Sequence, residues 1–391
     1  MEKTPLSLRK HIAVFGKTNA GKSTLFNALL GQDVSIVSDV SGTTTDPVTK
    51  AMELIPYGPI ALIDTAGLGD ETELGEAREK KTMEILSRVD LVLYVKDISD
   101  KGQKEIDFGK TPKITVYTKC DLTDKNTVEN VRKSDKDSII LTGYDNHALS
   151  ELKERMVSVL KAMEQETETL LGNIVPEGGI VVLVIPIDTA APKGRLILPQ
   201  VQTIRDCLDY NIRTVATTVE MLEKTLSELN NIDLVVTDSQ VFHKVDGIVP
   251  SNIPLTSFSM LLANQKGKIT QLIKGTEIVS SLEDEDEILM LEACTHNTTH
   301  DDIGKVKIPA LLQQKTGKNL RFTHLSGHDF PDDIEKYKLV IQCGGCMINK
   351  KAIQNRLKIF EEKGIPATNY GVILAYLNGI LERAADVFKN K

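Results

Sequence analysis

The sequence predicts an α/β protein of three domains, and three observations support that fold class. At 391 residues the chain is too long for one ordinary hydrophobic core. Short apolar runs alternate with helical patterns along most of its length, which predicts mostly parallel sheets with helices on both faces. Two stretches rich in glycine and proline, LLGNIVPEGG and DGIVPSNIPLTS, mark the candidate linkers.

Composition and charge narrow the class of protein. The chain is 41% hydrophobic and 26% charged, with a formal net charge of −8. This acidic balance argues against a nucleic-acid partner, because contacts to phosphates need a concentrated excess of Lys and Arg. No apolar run reaches the roughly 20 residues that cross a bilayer, and no secretory signal precedes the first strand. Five unevenly spaced cysteines suggest no disulfide framework, so we expect a cytoplasmic protein. From the lack of a long apolar run we also expect no membrane partner.

The first predicted domain covers residues 1–170. Its apolar runs are HIAVFG, IALID, LVLYV, KITVYT and SIILTG, and helical patterns separate them. GKSTLFNALLG follows the first run as a helix that ends at Gly31, and LSELKERMVSVLKAMEQE is the last helix of the domain. This order predicts a mostly parallel, doubly wound sheet.

The segment GKTNAGKST begins directly after the first apolar run and opens a helix. It matches G-x-x-x-x-G-K-[ST] at Gly16, Gly21, Lys22 and Ser23. Glycines let backbone N–H groups point at phosphate oxygens, and the helix N-terminus adds its positive dipole end. Lys22 is then the ligand of the β- and γ-phosphates, and the Ser23 hydroxyl binds Mg²⁺. The residues assigned to phosphate contact in this loop are Asn19, Ala20, Gly21, Lys22, Ser23 and Thr24.

Three further segments indicate which nucleotide binds. ALIDTAGL places Asp64 at the end of a strand, where it can hold a Mg²⁺-bound water, and Gly67 where a backbone N–H can contact the γ-phosphate. The KITVYT strand ends within YTKCDL. The carboxylate of Asp121 in this segment can accept both N1–H and N2–H₂ of guanine, a donor pair that adenine lacks. SIILTG ends in a turn against the base. The base contacts are assigned to Thr118, Lys119, Asp121, Thr142 and Gly143.

These residues resemble those of Ras-like GTPases, specifically the TrmE–Era branch, over the first predicted domain. VSGTTTDPV is similar to the first switch of that branch, which implies Thr44 as a ligand of Mg²⁺ and the γ-phosphate. Asn19 matches the asparagine that helps hold K⁺ in potassium-activated members, where the cation stabilises transition-state charge. Thr118 replaces the commoner Asn of the base motif, and Leu68 stands where Ras-type enzymes carry a water-orienting Gln. The resemblance implies slow hydrolysis of GTP to GDP and phosphate by a switch-like domain.

The second and third predicted domains cover residues 175–265 and 267–391. In the second, GIVVLVIPID, RTVATTV and IDLVVTD are strand-like, while QVQTIRDCLDY and EMLEKTLSEL are helical. It lacks a phosphate loop and is typical of a small α/β module for association. The third contains strand-like LRFTHL and LVIQC, helix-like IPALLQQKTG and two terminal helices.

Three of the five cysteines fall in the third domain. ACTH holds Cys294 and His296, and QCGGC holds Cys343 and Cys346. A C-x-x-C turn brings two thiolates to one side, as a tetrahedral metal or an iron–sulfur cluster requires. A redox pair that opens a helix is disfavoured, because Gly-Gly is a poor helix start. From the residues alone, a structural zinc site, a 4Fe-4S cluster and simple core packing stay open.

A GTPase followed by a small α/β segment and C-x-H…C-x-x-C resembles the GTPases of FeFe-hydrogenase maturation, the HydF family. QCGGCMIN and GIPATNYGVILAYLNGIL are similar to its C-terminal segments. The resemblance implies a GTP-binding domain, a dimerisation domain and a 4Fe-4S domain, with Cys294, Cys343 and Cys346 as cluster ligands. It also implies a homodimer or higher oligomer. The implied function is that of a scaffold that delivers a two-iron precursor to apo FeFe-hydrogenase, and the implied further partners are radical-SAM maturation enzymes.

The fourth cluster ligand departs from the family pattern. The family has His immediately before the C-x-x-C, whereas this chain has Gln342, and a neutral amide is a poor iron ligand. His296 is the remaining motif histidine for that position, and water, a carboxylate or an incoming substrate are the alternatives.

Two other functions remain open. One is a TrmE–Era-type GTPase with a structural zinc site that acts in RNA modification or ribosome assembly. The other is a zinc-stabilised GTPase with a purely structural C-terminus. The net charge of −8 and the lack of a basic, aromatic-rich module weigh against the RNA function.

Overall fold

The computed structural model describes twelve stretches of the chain, which form two compact units, Met1–Thr167 and Glu168–Lys391. Both units are α/β, as the sequence predicts. No helix in the described part combines the length and apolar character needed to cross a bilayer. The described residues are 8–31, 48–65, 82–100, 106–144, 146–163, 169–187, 194, 196–292, 303–326, 331, 333–344 and 348–389.

The first unit contains a six-stranded sheet in the order β2-β3-β1-β4-β5-β6. All neighbouring pairs are parallel except β2, which runs antiparallel to β3 at one edge. The strands are β1 (Lys10–Gly16), β2 (Val48–Leu54), β3 (Gly58–Asp64), β4 (Leu91–Asp97), β5 (Lys113–Thr118) and β6 (Ile139–Ile140).

The central strands of this sheet are buried on both faces. Along β1, Ile12 and Val14 belong to one hydrophobic cluster, and Ala13 and Phe15 belong to another on the opposite face. Alternate side chains of a strand point to opposite faces, so a near-continuous apolar run is what two covered faces require. The described helices of this unit include α1 (Lys22–Gly31), α2 (Lys125–Ser134) and α3 (Asn146–Met163).

The second unit contains two parallel four-stranded sheets. The first has the order β10-β9-β7-β8, and the second has the order β12-β11-β13-β14. Their strands are β7 (Ile180–Val184), β8 (Arg213–Thr217), β9 (Leu234–Thr237), β10 (Leu255–Ser257), β11 (Glu287–Glu292), β12 (Arg321–Ser326), β13 (Leu339–Gln342) and β14 (Ala367–Asn369).

Nine α-helices of the described residues pack on these two sheets. They are α4 (Leu198–Asp209), α5 (Leu222–Glu228), α6 (Phe242–Asp246), α7 (Phe258–Lys266), α8 (Ile269–Lys274), α9 (Ile308–Thr316), α10 (Lys350–Glu362), α11 (Tyr370–Leu377) and α12 (Leu381–Asp386). The sequence patterns predict two terminal helices, whereas the structure has three, because Gly379 at a φ of 73° separates α11 from α12.

One hydrophobic cluster joins the two sheets of the second unit. It contains Leu183 and Val236 from the first sheet and Leu289 and Val340 from the second, together with the buried face of α7. The boundary predicted near residue 266 therefore falls inside a shared core. Burial of this many apolar side chains gives the two sheets a common source of stability.

Arg383 on α12 fixes the C-terminal helix to the loop after α6. Its guanidinium donates to Asp246 Oδ1 at 2.6 Å and to the carbonyl oxygens of Val249 at 3.0 Å and Pro250 at 2.8 Å. The Arg383 and Asp246 side chains are 26% and 29% exposed, so this ion pair is only partly hydrated.

We expect Arg383→Met to lower the free energy of unfolding by about 2 kcal/mol, because it removes several charge-assisted hydrogen bonds. Lys389→Met is the matched control, since Lys389 pairs with Asp386 at a surface where both side chains are mostly exposed. Urea denaturation followed by circular dichroism measures both variants. Equal midpoints for the two variants would show that the Arg383 contacts do not stabilise the fold.

Candidate functional site

The loop between β1 and α1 wraps around the ammonium group of Lys22. Lys22 Nζ donates to Gly16 O at 2.9 Å and to Lys17 O at 2.7 Å, and the side chain is 5% exposed. Lys22 is also the first residue of α1, so the loop carbonyls and the helix N-terminus meet at one point. A buried cation beside a helix N-terminus attracts an anion such as a phosphate.

Two glycines of the loop are required by its geometry. A Cβ at Gly16 would lie 2.3 Å from Val95 O, so only glycine lets the loop pass this close to β4. Gly21 has a φ of 90°, in the region that L side chains rarely adopt. Asn19 also has a positive φ, 63°, and its side chain is exposed.

The remaining loop residues differ in exposure. The Ser23 and Thr24 side chains are exposed, and Ala20 is buried. Hydroxyl groups at this end of α1 are therefore accessible to a ligand, and the role of Ser23 as a Mg²⁺ ligand stays a prediction.

Asp64 is the last residue of β3, and β3 lies beside β1 in the sheet. Val14 pairs with Asp64 in that register, and Thr65 Oγ1 donates to Val14 O at 2.6 Å. The carboxyl end of β3 is thereby fixed beside the strand that leads into the phosphate loop. Three of the predicted switch residues, Thr44, Gly67 and Leu68, lie outside the described residues.

The base-recognition segment after β5 is tied to the phosphate loop through Thr118. Its side chain is fully buried, and Oγ1 lies 2.7 Å from Ala20 O and 3.2 Å from Lys96 O. A hydroxyl carries one proton, so the shorter contact to Ala20 is its main hydrogen bond. Thr118 thus connects the predicted base site directly to the predicted phosphate site.

Lys119 follows in the left-handed region, with a φ of 56°. Its ammonium lies 2.8 Å from Asp97 Oδ2 at the end of β4. Burial opposes ionisation of Asp97, but hydrogen bonds from Lys119 and Ser99 outweigh it and lower the pKa of that carboxyl. Asp121 is exposed beyond Lys119, where its carboxylate can face a base.

The turn after β6 completes this side of the site. Thr142 is exposed and Gly143 is partly exposed. The hydroxyl of Tyr144 lies 3.4 Å from the position that a Cβ at Gly21 would occupy. Burial raises the pKa of Tyr144, and the charges of Asp121 and Cys120 add to that shift.

Asp97 and Tyr144 were not predicted from the sequence. The sequence contains a pattern from which Asp97 could have been predicted. It is an acidic residue at the end of the apolar run LVLYV, which forms the strand β4 beside β5. Tyr144 carries no comparable signal, since its contact with the phosphate loop depends on the fold. Cys120 is buried, and burial raises the pKa of its thiol to about 11, so this side chain is a neutral thiol at neutral pH.

The second candidate site is the carboxyl edge of the last sheet. Cys343 directly follows β13, and its backbone N–H donates to Leu291 O of the neighbouring β11 at 2.8 Å. The Cys343 side chain is partly exposed, whereas Gln342 is 3% exposed. In the described residues no group of three or more His, Cys, Asp or Glu could hold a metal ion. Cys294, His296 and Cys346 lie outside them.

The first predicted domain matches a family model described as "50S ribosome-binding GTPase" over residues 11–142. Curated relatives named tRNA modification GTPase MnmE match the same part of the chain. The relative from Legionella pneumophila (strain Paris) is 35% identical over 168 residues, which is 41% of this chain and 36% of the relative. The relative from Treponema denticola is 37% identical over 164 residues, or 38% of this chain and 34% of the relative.

The chain therefore matches only about a third of the length of these curated relatives. The matched part identifies the N-terminal unit as a GTPase domain that uses GTP and Mg²⁺.

Two solved structures are also similar. The G domain of the T. maritima FeoB iron transporter is 25% identical and covers 39% of this chain and 99% of its own. An Aquifex aeolicus Era variant bound to GDP·AlF4⁻ is 20% identical and covers 53% of this chain and 92% of its own. Both have a TM-score of 0.29, too low to extend any property of those proteins to this chain.

We expect Thr118→Val to weaken GTP and GDP binding, because the variant keeps the side-chain shape but leaves Ala20 O without its hydroxyl donor. Loss of one buried hydrogen bond is worth about 1–2 kcal/mol, or roughly 5- to 30-fold in Kd. Thr127→Val, which removes a surface hydroxyl bonded to Asp124, is the control. Isothermal titration calorimetry compares the affinities, and an unchanged Kd for Thr118→Val would contradict the proposed link.

The rest of the chain matches two further family models. Residues 170–267 match the hydrogen maturase F dimerization domain, and residues 270–387 match the hydrogen maturase F tetramerization domain. Together they cover more than half of the chain, and they follow the GTPase domain. The third predicted domain, where the resemblance implies a 4Fe-4S domain, is matched as a tetramerization domain. The chain belongs to the hydrogen maturase F (HydF) family, whose members combine these two domains with an N-terminal GTPase.

Proposed function

We propose that this GTPase is a scaffold and carrier that delivers a two-iron precursor to apo FeFe-hydrogenase, with a 4Fe-4S cluster as the docking site. Membership of a hydrogenase-maturation family supports the process. The cluster ligands in this proposal are Cys294, Cys343 and Cys346. Residues 1–170, 175–265 and 267–391 are the GTP-binding, dimerisation and cluster domains.

The main structural support for the proposed cluster is the pairing of β11 with β13. These two parallel strands end side by side, since Cys343 N–H donates to Leu291 O. In the sequence, Cys294 comes two residues after β11 ends at Glu292, and Cys346 comes three residues after Cys343. The two strands that precede the cysteine-containing segments in the sequence therefore end at the same edge of the sheet.

The donor chemistry suits an iron–sulfur cluster. Thiolates are its usual protein ligands, and a Cβ added at Gly344 would meet no atom within 4 Å, so the turn has open space beside it. Gln342 is buried in β13, where the family pattern has histidine. We propose that the fourth position is completed by His296 or by an exchangeable ligand, which a carrier needs in order to accept and release its cargo.

The GTPase domain acts in this proposal as a conformational timer. Lys22 neutralises the β- and γ-phosphates, and Ser23 and Thr44 hold Mg²⁺. Asp64 holds a Mg²⁺-bound water, and the backbone N–H of Gly67 responds to the γ-phosphate. Leu68 replaces a water-orienting side chain, so hydrolysis is slow without assistance. Asn19, exposed in the loop, is a candidate K⁺ ligand.

The proposed assembly is a homodimer that associates further. The matched models are dimerization and tetramerization domains. On α4, Val201 and Leu208 are 41% and 63% exposed and are spaced seven residues apart, with partly buried Ile204 between them. An apolar stripe at helical spacing is typical of a surface that a second copy covers. Apo FeFe-hydrogenase and radical-SAM maturation enzymes are the other proposed partners, in the cytoplasm.

We expect GTP hydrolysis to be several-fold faster in KCl than in NaCl at equal ionic strength. A cation beside Asn19 would stabilise the charge that develops on the phosphates. Asn19→Gly should remove the difference, because glycine adopts the φ of 63° without strain but offers no side-chain oxygen. Asn130→Ala on α2 is the control, and equal rates of the wild-type chain in the two salts would end the potassium hypothesis.

We expect Cys343→Ala to abolish assembly of an iron–sulfur cluster and to leave GTP turnover within about twofold of wild type, because the two sites belong to separate compact units. Lys22→Ala should do the reverse, since it removes the cation bound by the loop carbonyls. Cys207→Ala, which deletes a fully buried thiol in the second unit, is the control for loss of a cysteine.

Anaerobic reconstitution, iron and sulfide analysis, EPR and phosphate release are the measurements. Loss of both cluster assembly and GTP turnover in either variant would contradict the assignment of two independent sites. Zinc alone at the site, with no reducible cluster, would favour a GTPase with a structural zinc site.

A further inference from the structure

The second unit contains the same fold twice. In the first sheet β7, β8, β9 and β10 occupy the places that β11, β12, β13 and β14 occupy in the second. The registers agree as well, since Val184 pairs with Thr237 in the first sheet and Leu291 pairs with Gln342 in the second. We call the part from β7 to α8 the first half-domain and the part from β11 to α12 the second half-domain.

The sequence shows the same duplication where each half-domain ends. IPLTSFSMLLANQKGKI, residues 253–269, aligns without a gap with IPATNYGVILAYLNGIL, residues 365–381. Ser257 and Asn369 are equivalent in this alignment, and both are N-cap residues whose side chains accept a hydrogen bond from the helix that follows. α8 and α12 each begin at the last residue of the aligned segments, so these two short helices are equivalent as well.

A local two-fold axis relates the two half-domains. α7 packs on α11, its equivalent in the second half-domain. A Cβ added to Gly371 would lie 2.6 Å from the Cβ of Ser259, and the alignment makes these two residues equivalent. Equivalent residues that contact each other lie beside a two-fold axis.

A cavity of about 510 Å³ lies between α8 and α12, the helices that follow α7 and α11. Its wall contains equivalent positions from both half-domains, which are Ile269 with Leu381, Ile273 with Ala385, and Thr276 with Phe388. The wall is mostly apolar, and the Thr276 hydroxyl already donates to Ile273 O at 2.7 Å. The cavity therefore lies where the two half-domains meet.

One unequal pair in the wall contributes to this space. Ala385 is 4% exposed and stands where α8 has Ile273, so a methyl group replaces a larger aliphatic side chain. Protein interiors leave few voids larger than a water molecule, whereas small-molecule sites are mostly apolar cavities of about 300–1,000 Å³, often at domain interfaces. In volume, lining and position this cavity is typical of a small-molecule site.

The charged side chains at the cavity favour an uncharged ligand. Two acidic and two basic residues with exposed side chains line it, namely Glu277, Glu382, Lys315 and Lys389. Their formal charges cancel, so an ionised group on a ligand would lose hydration without gaining an excess of opposite charge. Tyr376 also lines the cavity, and its phenol hydroxyl can donate or accept a hydrogen bond.

We propose that this cavity binds an uncharged, largely apolar small molecule, with Tyr376 as its hydrogen-bond partner. A molecule bound there contacts both half-domains at once and fills the space that Ala385 leaves. The proposal requires neither the nucleotide nor the cysteine residues, so it is independent of the proposed carrier function.

Three naphthalene derivatives that share one apolar body test the cavity in the full chain. We expect 1-naphthol to bind one site per chain in isothermal titration calorimetry, with a Kd in the micromolar range. 1-Naphthoate and 1-naphthylmethylammonium should bind at least about tenfold more weakly, because each loses the hydration of an ionised group. Tyr376→Phe should weaken binding of 1-naphthol about threefold to tenfold, since it removes one hydrogen bond.

Two variants close the cavity in different ways. Ala385→Ile restores the larger aliphatic side chain that α8 has at the equivalent position and should abolish binding of 1-naphthol. Thr270→Trp should do the same from the rim, because Thr270 is exposed and lines the cavity. Lys274→Trp on the same helix is the matched control, since Lys274 is exposed and lines a different cavity.

Circular dichroism and GTP turnover show whether each variant is folded. If Ala385→Ile does not fold, Thr270→Trp against Lys274→Trp decides the matter. Three results would each overturn the proposal: no saturable binding of 1-naphthol by the wild-type chain, equal affinity for the three compounds, or unchanged binding in the closed variants.

Light scattering after size-exclusion chromatography tests the other occupant, a second copy of this chain. A lower oligomeric state in both closed variants, together with no binding of 1-naphthol to the wild-type chain, would assign the cavity to a contact between copies and overturn the proposal. Each of these outcomes leaves the proposed carrier function standing, because cluster assembly and delivery are measured separately.

Discussion

In the described part of the chain, the placement of the candidate functional residues depends on one constraint, the burial of parallel strands on both faces. Such strands have no room for polar side chains along their length, so chemistry collects where they end. β1, β3 and β5 end at Gly16, Asp64 and Thr118. In the last sheet, β13 ends immediately before Cys343. The phosphate loop and the cysteine turn thus occupy equivalent edges of two unrelated sheets.

Both edges also use the same means of holding a cation. Lys22 is 5% exposed at the start of α1, and the carbonyl oxygens of Gly16 and Lys17 accept from its ammonium. Lys266 is equally buried at the end of α7, and Ile348 O accepts from it. A backbone carbonyl oxygen accepts one N–H of an ammonium group, so each lysine is held in place by main-chain atoms of its surroundings.

The sequence was most informative where the signal is local. The phosphate loop follows from glycine and lysine spacing within nine residues, and the strand runs follow from burial on both faces. β2 was missed, because an antiparallel edge strand such as VTKAMEL has no continuous apolar run. The burial of Lys266 could not be predicted, since its hydrogen bond to Ile348 O arises only when distant segments pack together. Lys266 and Ile348 are 82 residues apart in the chain.

The shared core of the second unit decides how its two sheets can respond to a partner. α7 packs on α4, which carries the exposed apolar side chains Val201 and Leu208, and also on α10 and α11. Its last residue, Lys266, donates a hydrogen bond to Ile348 O. Protein interiors are close-packed and transmit strain instead of absorbing it. A displacement of α4 by a bound partner is therefore resisted by α7 and by the core that α7 shares with α10 and α11.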